Sequence, residues 1–332
     1  MTERFDRALG ALAGVALGDA MGMPAQTLPR AQIRAAYGRI TDFIEPFPDH
    51  PVSHGLRAAQ VTDDTEQTLL LAGLLLENPE GVDDHRWARA LLDWEADVRA
   101  RGLRDLLGPS SKAALDALLA GTPADETGKG GTTNGAAMRI APVGIACPAQ
   151  DAGALAAKVA EACRVTHATR EAIAAASAVA MAVSCGIDGA DFEAALPAAL
   201  EAARIGSAQG YPVGEEDMAG RIARAVEAAD SGGEEELLRV AGNSVASRES
   251  VAAAFGIVRL AQGDPWQAAL LAANFGDDTD TIGAIACAMA GACAGIGAFP
   301  AEKLAQVKAA NGLELEPVAR GLLELRARRA AG

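Results

Sequence analysis

The sequence lacks the features that mark nucleic-acid-binding proteins and multidomain chains. Aromatic residues make up only 4% of the 332 residues, and 44 acidic side chains outnumber 29 basic ones, which gives a net charge of −15. Lysine and arginine form no cluster with interleaved aromatic residues, so we expect the overall field to repel nucleic acids and anionic membrane surfaces. No linker rich in proline, glycine or serine divides the chain, which predicts a single domain over residues 1–332.

Targeting signals and cysteine motifs are also missing. The N-terminal segment carries charges from its third residue, and its apolar stretch is interrupted by Asp19, which fits neither a signal peptide nor a membrane span. We therefore expect a cytoplasmic protein. The cysteines are odd in number and lie in apolar helical runs without CxxC spacing, so we interpret them as reduced core thiols. They are Cys147, Cys163, Cys185, Cys287 and Cys293.

Helical periodicity recurs along the chain and strand-like alternation is absent, which predicts an all-α fold. The first helix carries Gly10, Gly14 and Gly18 at a spacing of four, and this spacing allows another helix to approach closely. The predicted helices span residues 5–19, 29–37, 65–77, 85–99, 110–120, 152–163, 169–185, 191–204, 215–227, 234–241, 249–260, 265–273, 281–295, 301–309 and 316–328.

Two acidic segments each precede an apolar helical run. The segment VTDDTEQT, residues 61–68, contains Thr62, Asp63 and Asp64, and the segment GDDTDTIG, residues 276–283, contains Asp277, Asp278, Asp280 and Thr281. Helix capping is the simplest interpretation, because these residue types favour N-caps and first turns, and Asp63 and Glu66 have the spacing of a capping box. Capping needs only one such side chain per helix, however, and each segment has at least three.

Metal binding accounts for the surplus of carboxylates. Aspartates with an ordinary pKa of about 4 are ionised near neutral pH, so packing the two segments together is costly unless a cation neutralises them. All the available ligands are hard oxygen atoms, which favours Mg²⁺, Mn²⁺ or Ca²⁺ over Zn²⁺. We therefore predict that the two segments meet around two divalent ions with open water positions, which is a catalytic arrangement.

A loop rich in glycine and threonine, residues 122–134, precedes the run GAAMRIAPVG. A plain surface loop is the simplest interpretation of this segment, because a single glycine-rich loop is weak evidence for a binding site. Further along, His167 lies near a helix start, where a lone histidine usually has a structural role. His50 and His54 lie in the irregular segment 38–60, and we interpret both as solvated loop residues within reach of a cleft.

Four segments in this order, GVALGDAMGMP, TDDT, NGAAMR and GDDTDTIGAIACAMAGA, resemble the ADP-ribosylglycohydrolase family. The similarity covers essentially the whole chain and is particularly to bacterial members that resemble dinitrogenase reductase-activating glycohydrolase. It implies an all-α fold of many helices, a pair of Mg²⁺ or Mn²⁺ ions, and hydrolysis of a glycosidic bond at the anomeric carbon of ADP-ribose. The partner would be ADP-ribose, an ADP-ribosylated protein or a small ribosylated molecule.

The resemblance also implies roles for individual residues. The metal ligands would be Thr62, Asp63, Asp64, Asp278, Asp280 and Thr281, with Asp277 and Asp19 supporting the site from outside the ligand set. The glycine-rich loop would lie against the diphosphate and the distal ribose. The substrate-binding residues would be Gly130, Gly131, Thr132, Thr133, Asn134, Gly135, Met138 and His167. Arg139 would be either a structural ion-pair partner or a phosphate contact.

The sequence departs from the family pattern at Gln26. Several relatives carry a glutamate here that is proposed to act on the attacking water, whereas an amide cannot take up a proton. Asp63 or Asp64 would then serve as the general base, and Gln26 would contribute a hydrogen bond to the leaving group. Alternatively, the chain handles a different substrate.

Three hypotheses follow from these observations. The first is a Mg²⁺-dependent hydrolase that removes ADP-ribose from a protein side chain. The second is a hydrolase of a smaller ribosylated or nucleoside-like compound that uses the same metal chemistry, which Gln26 favours. The third is an ADP-ribose binder without activity, which the intact set of metal-binding residues disfavours.

Overall fold

The computed structural model describes residues 2–103 and 107–331. These residues form sixteen α-helices and three short 3₁₀ helices, and they contain isolated β-bridges but no strand. The predicted all-α fold is therefore confirmed. The helices are α1 (Glu3–Gly22), α2 (Arg30–Tyr37), α3 (Asp63–Glu77), α4 (Asp84–Ala100), α5 (Pro109–Leu119), α6 (Gly135–Met138), α7 (Ala141–Ala146), α8 (Ala152–Cys163), α9 (Arg170–Ile187), α10 (Phe192–Ser207), α11 (Met218–Ala241), α12 (Ser247–Leu260), α13 (Pro265–Ala273), α14 (Thr279–Ala294), α15 (Ala301–Asn311) and α16 (Leu315–Ala331).

The structure agrees with the sequence-based expectation in one of two regions and differs in the other. The separate helices predicted over residues 215–227 and 234–241 correspond to the two parts of α11, which a kink at Gly233, where φ is 66°, divides. The run GAAMRIAPVG, for which the sequence predicts no helix, forms the short helices α6 and α7. Proline at the second position of α7 suits a helix start, since its missing N–H has no intrahelical partner there.

Helices α1 and α14 pack with their backbones in contact. A Cβ atom at Gly14 would lie 2.0 Å from the carbonyl oxygen of Cys287, and one at Gly18 would lie 2.1 Å from that of Gly283. The contact continues to Gly22, where a Cβ atom would lie 2.4 Å from the Cα atom of Asp280. The predicted close approach of another helix is therefore confirmed, and it brings the end of α1 against the start of α14.

The core lies around α1, α9 and α14, whose residues are almost all buried. Residues 3–25 and helix α9 are long and apolar enough to cross a membrane, but the apolar windows are 100% and 89% buried inside the fold. The five cysteines are free thiols, and all are buried except the half-buried Cys185. Burial raises the pKa of Cys163 to about 12, so this thiol is unreactive, as a core thiol is expected to be.

Candidate active site

The two acidic segments predicted to meet do meet, at the starts of α3 and α14. The carboxyl groups of Asp63, Asp64, Asp278 and Asp280 are all buried, together with that of Asp19 from α1. They lie close enough for their charges to raise one another's pKa values. The charges of Asp280 and Asp19 raise the pKa of Asp63, and those of Asp64 and Asp278 raise the pKa of Asp280. Five carboxyl groups thus share one region between three helices.

Asp19 holds the first segment in place. Its carboxylate accepts hydrogen bonds from the backbone N–H of Thr62 at 3.0 Å and of Thr65 at 3.1 Å. It also accepts from the hydroxyls of Thr62 at 2.8 Å and Thr65 at 2.5 Å. Asp19 therefore acts as the helix cap of α3 from a distant part of the chain, and it does so as a buried hydrogen-bonding anchor.

The capping interpretation of the acidic residues themselves is wrong. Thr62 and Asp278 occupy the N-cap positions of α3 and α14, but neither side chain accepts a hydrogen bond from a backbone N–H of its own helix. Glu66 does not close a capping box, because its carboxylate accepts from Trp94 Nε1 at 2.7 Å and from the Arg101 guanidinium at 2.7 and 2.8 Å. The carboxylates at the two helix starts are therefore left for another purpose.

The backbone supports the start of α14. Thr279 donates its hydroxyl to the carbonyl of Gly22 at 2.8 Å. Asp277, at φ 57°, exchanges backbone hydrogen bonds with Thr27 and Leu28 at 2.6 and 2.8 Å. Its side chain is half-buried, and its charge raises the pKa of the neighbouring Asp278.

Burial raises the pKa of every carboxyl group in the cluster, and repulsion by other members adds to the effect at Asp63, Asp64 and Asp280. Desolvation raises the pKa of Asp278 to about 7 and that of Asp19 to about 6, against hydrogen bonds that lower both. Desolvation and the neighbouring charges raise the pKa values of Asp63, Asp64 and Asp280 well above the ordinary range. The cluster therefore resists full ionisation unless positive charge is added.

The residues present fit a hard divalent cation. The Oδ1 atoms of Asp64 and Asp280 are buried and lack a hydrogen-bond partner in the described part of the chain, which is costly unless a further group contacts them. The surrounding side chains offer carboxylate and hydroxyl oxygens, the ligands that Mg²⁺ and Mn²⁺ prefer. No three Asp, Glu, His or Cys side chains in residues 2–103 and 107–331 enclose one point by themselves, so threonine hydroxyls and water would complete the coordination.

A cleft of about 180 Å³ opens over the cluster. Four of the six predicted metal ligands line it, namely Asp63, Asp278, Asp280 and Thr281, whereas Thr62 and Asp64 lie beneath. Of the predicted substrate-binding residues, Thr133, Asn134, Gly135 and Met138 line the cleft. Sequence reasoning missed the remaining lining residues, which carry no recognisable motif: Thr27, Val52, Leu107, Gly108, Pro109, Ser111 and Val245.

Four other predicted substrate-binding residues do not line this cleft. Gly130 is exposed, and the half-buried Thr132 uses its carbonyl to accept from Ser247 N at 3.0 Å. Gly131 packs against the chain at Thr166, where a Cβ atom would lie 2.0 Å from the carbonyl oxygen. This backbone contact requires glycine at position 131, whereas the sequence suggested that the glycine lets the backbone approach a phosphate.

His167, the fourth of these, is fully buried behind the cleft wall. Its Nε2 atom lies 3.1 Å from the hydroxyl of Thr133, and its Nδ1 atom lies 2.7 Å from that of Thr166. Burial and the charge of Arg139 lower the pKa of His167 well below its ordinary value, so the ring is neutral near pH 7. His167 thus orients Thr133, which does line the cleft.

Arg139 is buried in the core, does not line the cleft, and forms no ion pair within residues 2–103 and 107–331. Its guanidinium donates to Gln67 Oε1 and to the hydroxyl of Thr166, both at 2.6 Å. Gln67 in turn donates to the Asp63 carboxylate at 3.5 Å. Through the neutral side chains of Gln67 and Thr166, the arginine therefore links the first acidic segment to the loop that carries His167.

Gln26 lines the cleft beside the carboxylates. Its amide nitrogen donates to the hydroxyl of Ser53 at 2.9 Å. The interpretation of His50 as a solvated loop residue is wrong, because its ring is buried and its Nδ1 atom accepts from the backbone N–H of Ser53 at 2.8 Å. His54 is exposed, as expected.

Comparisons with known proteins place these features in a family. The ADP-ribosylglycohydrolase family profile matches residues 1–332. The uncharacterized protein YegU of Escherichia coli K12 is 38% identical over 99% of both chains. The ADP-ribosylarginine hydrolase Tri1 of Pseudomonas putida GB-1 is 27% identical over 92% of this chain and 75% of its own.

A solved structure supports the same assignment. The ADP-ribosylglycohydrolase-related protein complex superposes with a TM-score of 0.71 and 29% identity, over 98% of this chain and 100% of the other. The match over the full length agrees with the all-α fold. The chain therefore belongs to the ADP-ribosylglycohydrolase family and is a hydrolase of glycosidic bonds.

Proposed function

We propose that this enzyme hydrolyses the bond between ADP-ribose and a modified protein side chain, with two Mg²⁺ or Mn²⁺ ions bound at the starts of α3 and α14. The observation that carries the proposal is the buried carboxylate cluster beneath the cleft, in which Asp64 and Asp280 each keep an oxygen without a hydrogen-bond partner among the described residues. Enzymes of the family are generally metal-dependent.

Six side chains would hold the ions: Thr62, Asp63, Asp64, Asp278, Asp280 and Thr281. Bound there, the cations would neutralise the carboxylates, orient the ribose hydroxyls and lower the pKa of water in the cleft. Asp63 lines the cleft whereas Asp64 lies beneath it, so Asp63 is the better placed proton acceptor of the two. Gln26 cannot take up a proton and acts in this proposal through hydrogen bonding alone.

Asn134 and its neighbours would form the substrate side of the cleft. The Asn134 amide donates to Ser250 Oγ at 2.8 Å and also to the Asp278 carboxylate, which links the loop to the second acidic segment. Thr133, positioned by His167, and Gly135 continue the same wall. These residues would orient the ribose and the groups attached to it.

A second candidate function is favoured by the charge of the cleft. Its lining within the described chain contains three aspartates and no lysine, arginine or histidine. Apart from the cations, a diphosphate would meet no fixed positive charge among these described lining residues, and this would cost affinity for a polyanionic ligand. A smaller ribosylated compound without phosphates, such as an N-riboside, is therefore the alternative substrate.

Hydrolysis assays separate the two candidates. The enzyme, supplied with Mg²⁺ or Mn²⁺, is incubated with a peptide ADP-ribosylated on arginine, one ADP-ribosylated on serine, and a panel of nucleosides, and the released sugar is measured. Arginine-linked ADP-ribose comes first because the Pseudomonas relative is named for it. Asp278→Asn serves as the inactive control.

We expect release of ADP-ribose from a peptide, and loss of that activity on chelation or in Asp278→Asn. Cleavage restricted to nucleosides would favour the second candidate. Full activity of the chelated enzyme or of Asp278→Asn would rule out the binuclear site in either case.

A further inference from the structure

We propose that Ser53 positions the Gln26 amide so that its carbonyl oxygen faces the cleft and accepts a hydrogen bond from the leaving group. Gln26 would then determine specificity, favouring leaving groups that present an N–H beside the anomeric carbon. This inference rests on the proposed function above, and it assigns Ser53 as a positioning residue that never touches the substrate.

The number of hydrogen-bond donors at Ser53 determines the orientation of the Gln26 amide. The hydroxyl of Ser53 has one hydrogen, and it donates this hydrogen to the carbonyl of Met23 at 2.7 Å. The hydroxyl can therefore only accept from Gln26, so the group 2.9 Å away must be the amide nitrogen. The amide oxygen, Oε1, is consequently directed away from Ser53.

Oε1 is available to a ligand. No donor in the described part of the chain bonds to it, so within these residues its acceptor capacity is unused. Gln26 is only 7% exposed and lines the cleft together with Asp63 and Asp280. The small exposed part of this residue thus belongs to the site itself.

The segment that carries Ser53 is held firmly. The Nδ1 atom of His50 accepts from the backbone N–H groups of Val52 and Ser53 at 3.2 and 2.8 Å, and its ring packs on Phe47 with centroids 5.1 Å apart. Burial lowers the pKa of His50 to about 4, so the ring keeps its acceptor at neutral pH. The hydrogen bonds between the backbone and the His50 ring therefore hold Ser53 in position without a bound ligand.

The cleft consequently offers the leaving group an acceptor. The amide oxygen of Gln26 is an acceptor that the proposed metal ligands leave free, whereas the cations would occupy the carboxylates of Asp63, Asp278 and Asp280 and the Asn134 amide is already engaged. A guanidine-type leaving group supplies several N–H donors, whereas a serine oxygen supplies none once it is glycosylated. A carboxylate at position 26 would instead draw the Ser53 hydroxyl away from Met23 and leave that carbonyl without its donor.

The test uses the full-length Mg²⁺-loaded enzyme and two variants, Gln26→Leu and Ser53→Ala. Ser177→Ala is the matched control, because Ser177 is fully buried outside the cleft and its hydroxyl has no partner among the described residues. Two quantities are measured: the ratio of kcat/KM for arginine-linked over serine-linked ADP-ribosyl peptides, and the affinity for methylguanidine by calorimetry. Melting temperatures verify that each variant is folded.

We expect both variants, but not the control, to lower the arginine-over-serine ratio and the methylguanidine affinity by about tenfold, the size of one hydrogen bond. Unchanged affinity with both peptides slowed equally would overturn the inference and leave the proposed function standing. Methylguanidine binding that depends on Gln26, in an enzyme that cleaves neither peptide, would keep the inference and overturn the proposed function. A wild-type enzyme that does not bind methylguanidine would overturn the inference.

Discussion

The two acidic helix starts have similar sequences but different supports. At α3, the side chain of Asp19 accepts four hydrogen bonds from Thr62 and Thr65, so one carboxylate fixes the local backbone. At α14, the backbone of Gly22 packs directly on Asp280, and the peptide groups around Asp277 pair with Thr27 and Leu28. The comparison shows that one half of the site depends on a side chain and the other on close backbone contact.

This difference has consequences for substitution. A lost side-chain anchor removes hydrogen bonds but leaves the chain space to relax, whereas an added atom in a backbone contact forces the elements apart. In both segments, replacing a carboxylate that belongs to the cluster should lower kcat/KM, whereas replacing one outside the cluster should leave kcat/KM unchanged. Substitutions at the two helix starts therefore separate the two kinds of support.

The largest effect is expected for Asp280→Asn compared with Asp277→Asn. Asp280 is buried in the cluster, and replacing its carboxylate by an amide removes one charge from the proposed ligand set. We expect the kcat/KM of Asp280→Asn to fall by at least about 100-fold. This loss would exceed the one expected when a residue that only orients a metal ligand is replaced. Asp277 contributes through its backbone at φ 57°, which asparagine tolerates, so Asp277→Asn should stay within about twofold.

The measurement is steady-state hydrolysis at saturating Mg²⁺, with circular dichroism to verify folding. Equal losses in the two variants would show that charge anywhere in this segment matters. In that case the distinction between Asp280 and Asp277 would be wrong.

Gly22→Ala tests the backbone support of α14. The new methyl group would lie 2.3 to 2.4 Å from backbone atoms of Thr279 and Asp280, so the helices must separate. Overpacking of this kind typically costs about 1–3 kcal/mol, and we expect that loss together with reduced activity. Gly73→Ala in α3 is the matched control, because a methyl group there meets nothing within 4 Å and should stabilise the helix by roughly 0.5–1 kcal/mol.

Urea unfolding of both variants gives the free energies, and hydrolysis gives the activity. If Gly22→Ala were as stable and active as Gly73→Ala, the α1–α14 contact would not position the second acidic segment.

Asp19→Asn tests the side-chain support of α3. The amide keeps the shape of the carboxylate, but it turns a donor toward backbone N–H groups that need an acceptor. Because Asp19 does not belong to the proposed ligand set, we expect kcat/KM to fall about tenfold, as for residues that orient metal ligands. Raising the Mg²⁺ concentration should recover part of the loss, and an effect confined to stability would contradict this assignment.

The smallest effect is a pH dependence of the cation-free protein. Carboxyl groups whose pKa is raised by folding bind more protons in the folded than in the unfolded state, so stability falls as pH rises through their folded pKa values. Burial raises the pKa of Asp278 to about 7. The chelated protein should therefore melt a few degrees higher at about pH 6.5 than at about pH 8. The lowered pKa values of His50 and His167 act in the opposite direction as pH falls through about 6.5, the ordinary histidine value, and so they reduce this difference.

Saturating Mg²⁺ should weaken this dependence, because a bound cation neutralises the same carboxylates. Differential scanning calorimetry with and without chelator measures the difference. A chelated protein that loses stability between about pH 8 and 6.5 would contradict the predicted sign.

Sequence patterns predicted the parts of the molecule that depend on local order or on small residues. Helical periodicity predicted the all-α fold, and the spacing of Gly10, Gly14 and Gly18 predicted the contact with another helix. The surplus of aspartates over what capping needs predicted that the two segments would come together. Each of these features has a physical cause that is visible within one segment of the chain.

Contacts between distant segments could not be predicted in this way. The capping of α3 by Asp19 joins residues 43 positions apart, and nothing in the local pattern distinguishes that aspartate as a cap. Gly131 was expected to approach a phosphate, but a glycine required by a backbone contact looks the same in sequence. Ser53 and His50 carry no motif, and their roles depend on where an irregular loop is folded.

The most direct test of the central claim is the number of Mn²⁺ ions bound per chain, measured from the electron paramagnetic resonance signal of free Mn²⁺ during titration. We predict about two ions for the wild type and for Asp277→Asn, because both keep every proposed ligand. Asp63→Asn and Asp280→Asn, one from each acidic helix start, should each lose binding. Equal binding by the wild type and Asp280→Asn, or none by the wild type, would contradict a metal site shared by α3 and α14.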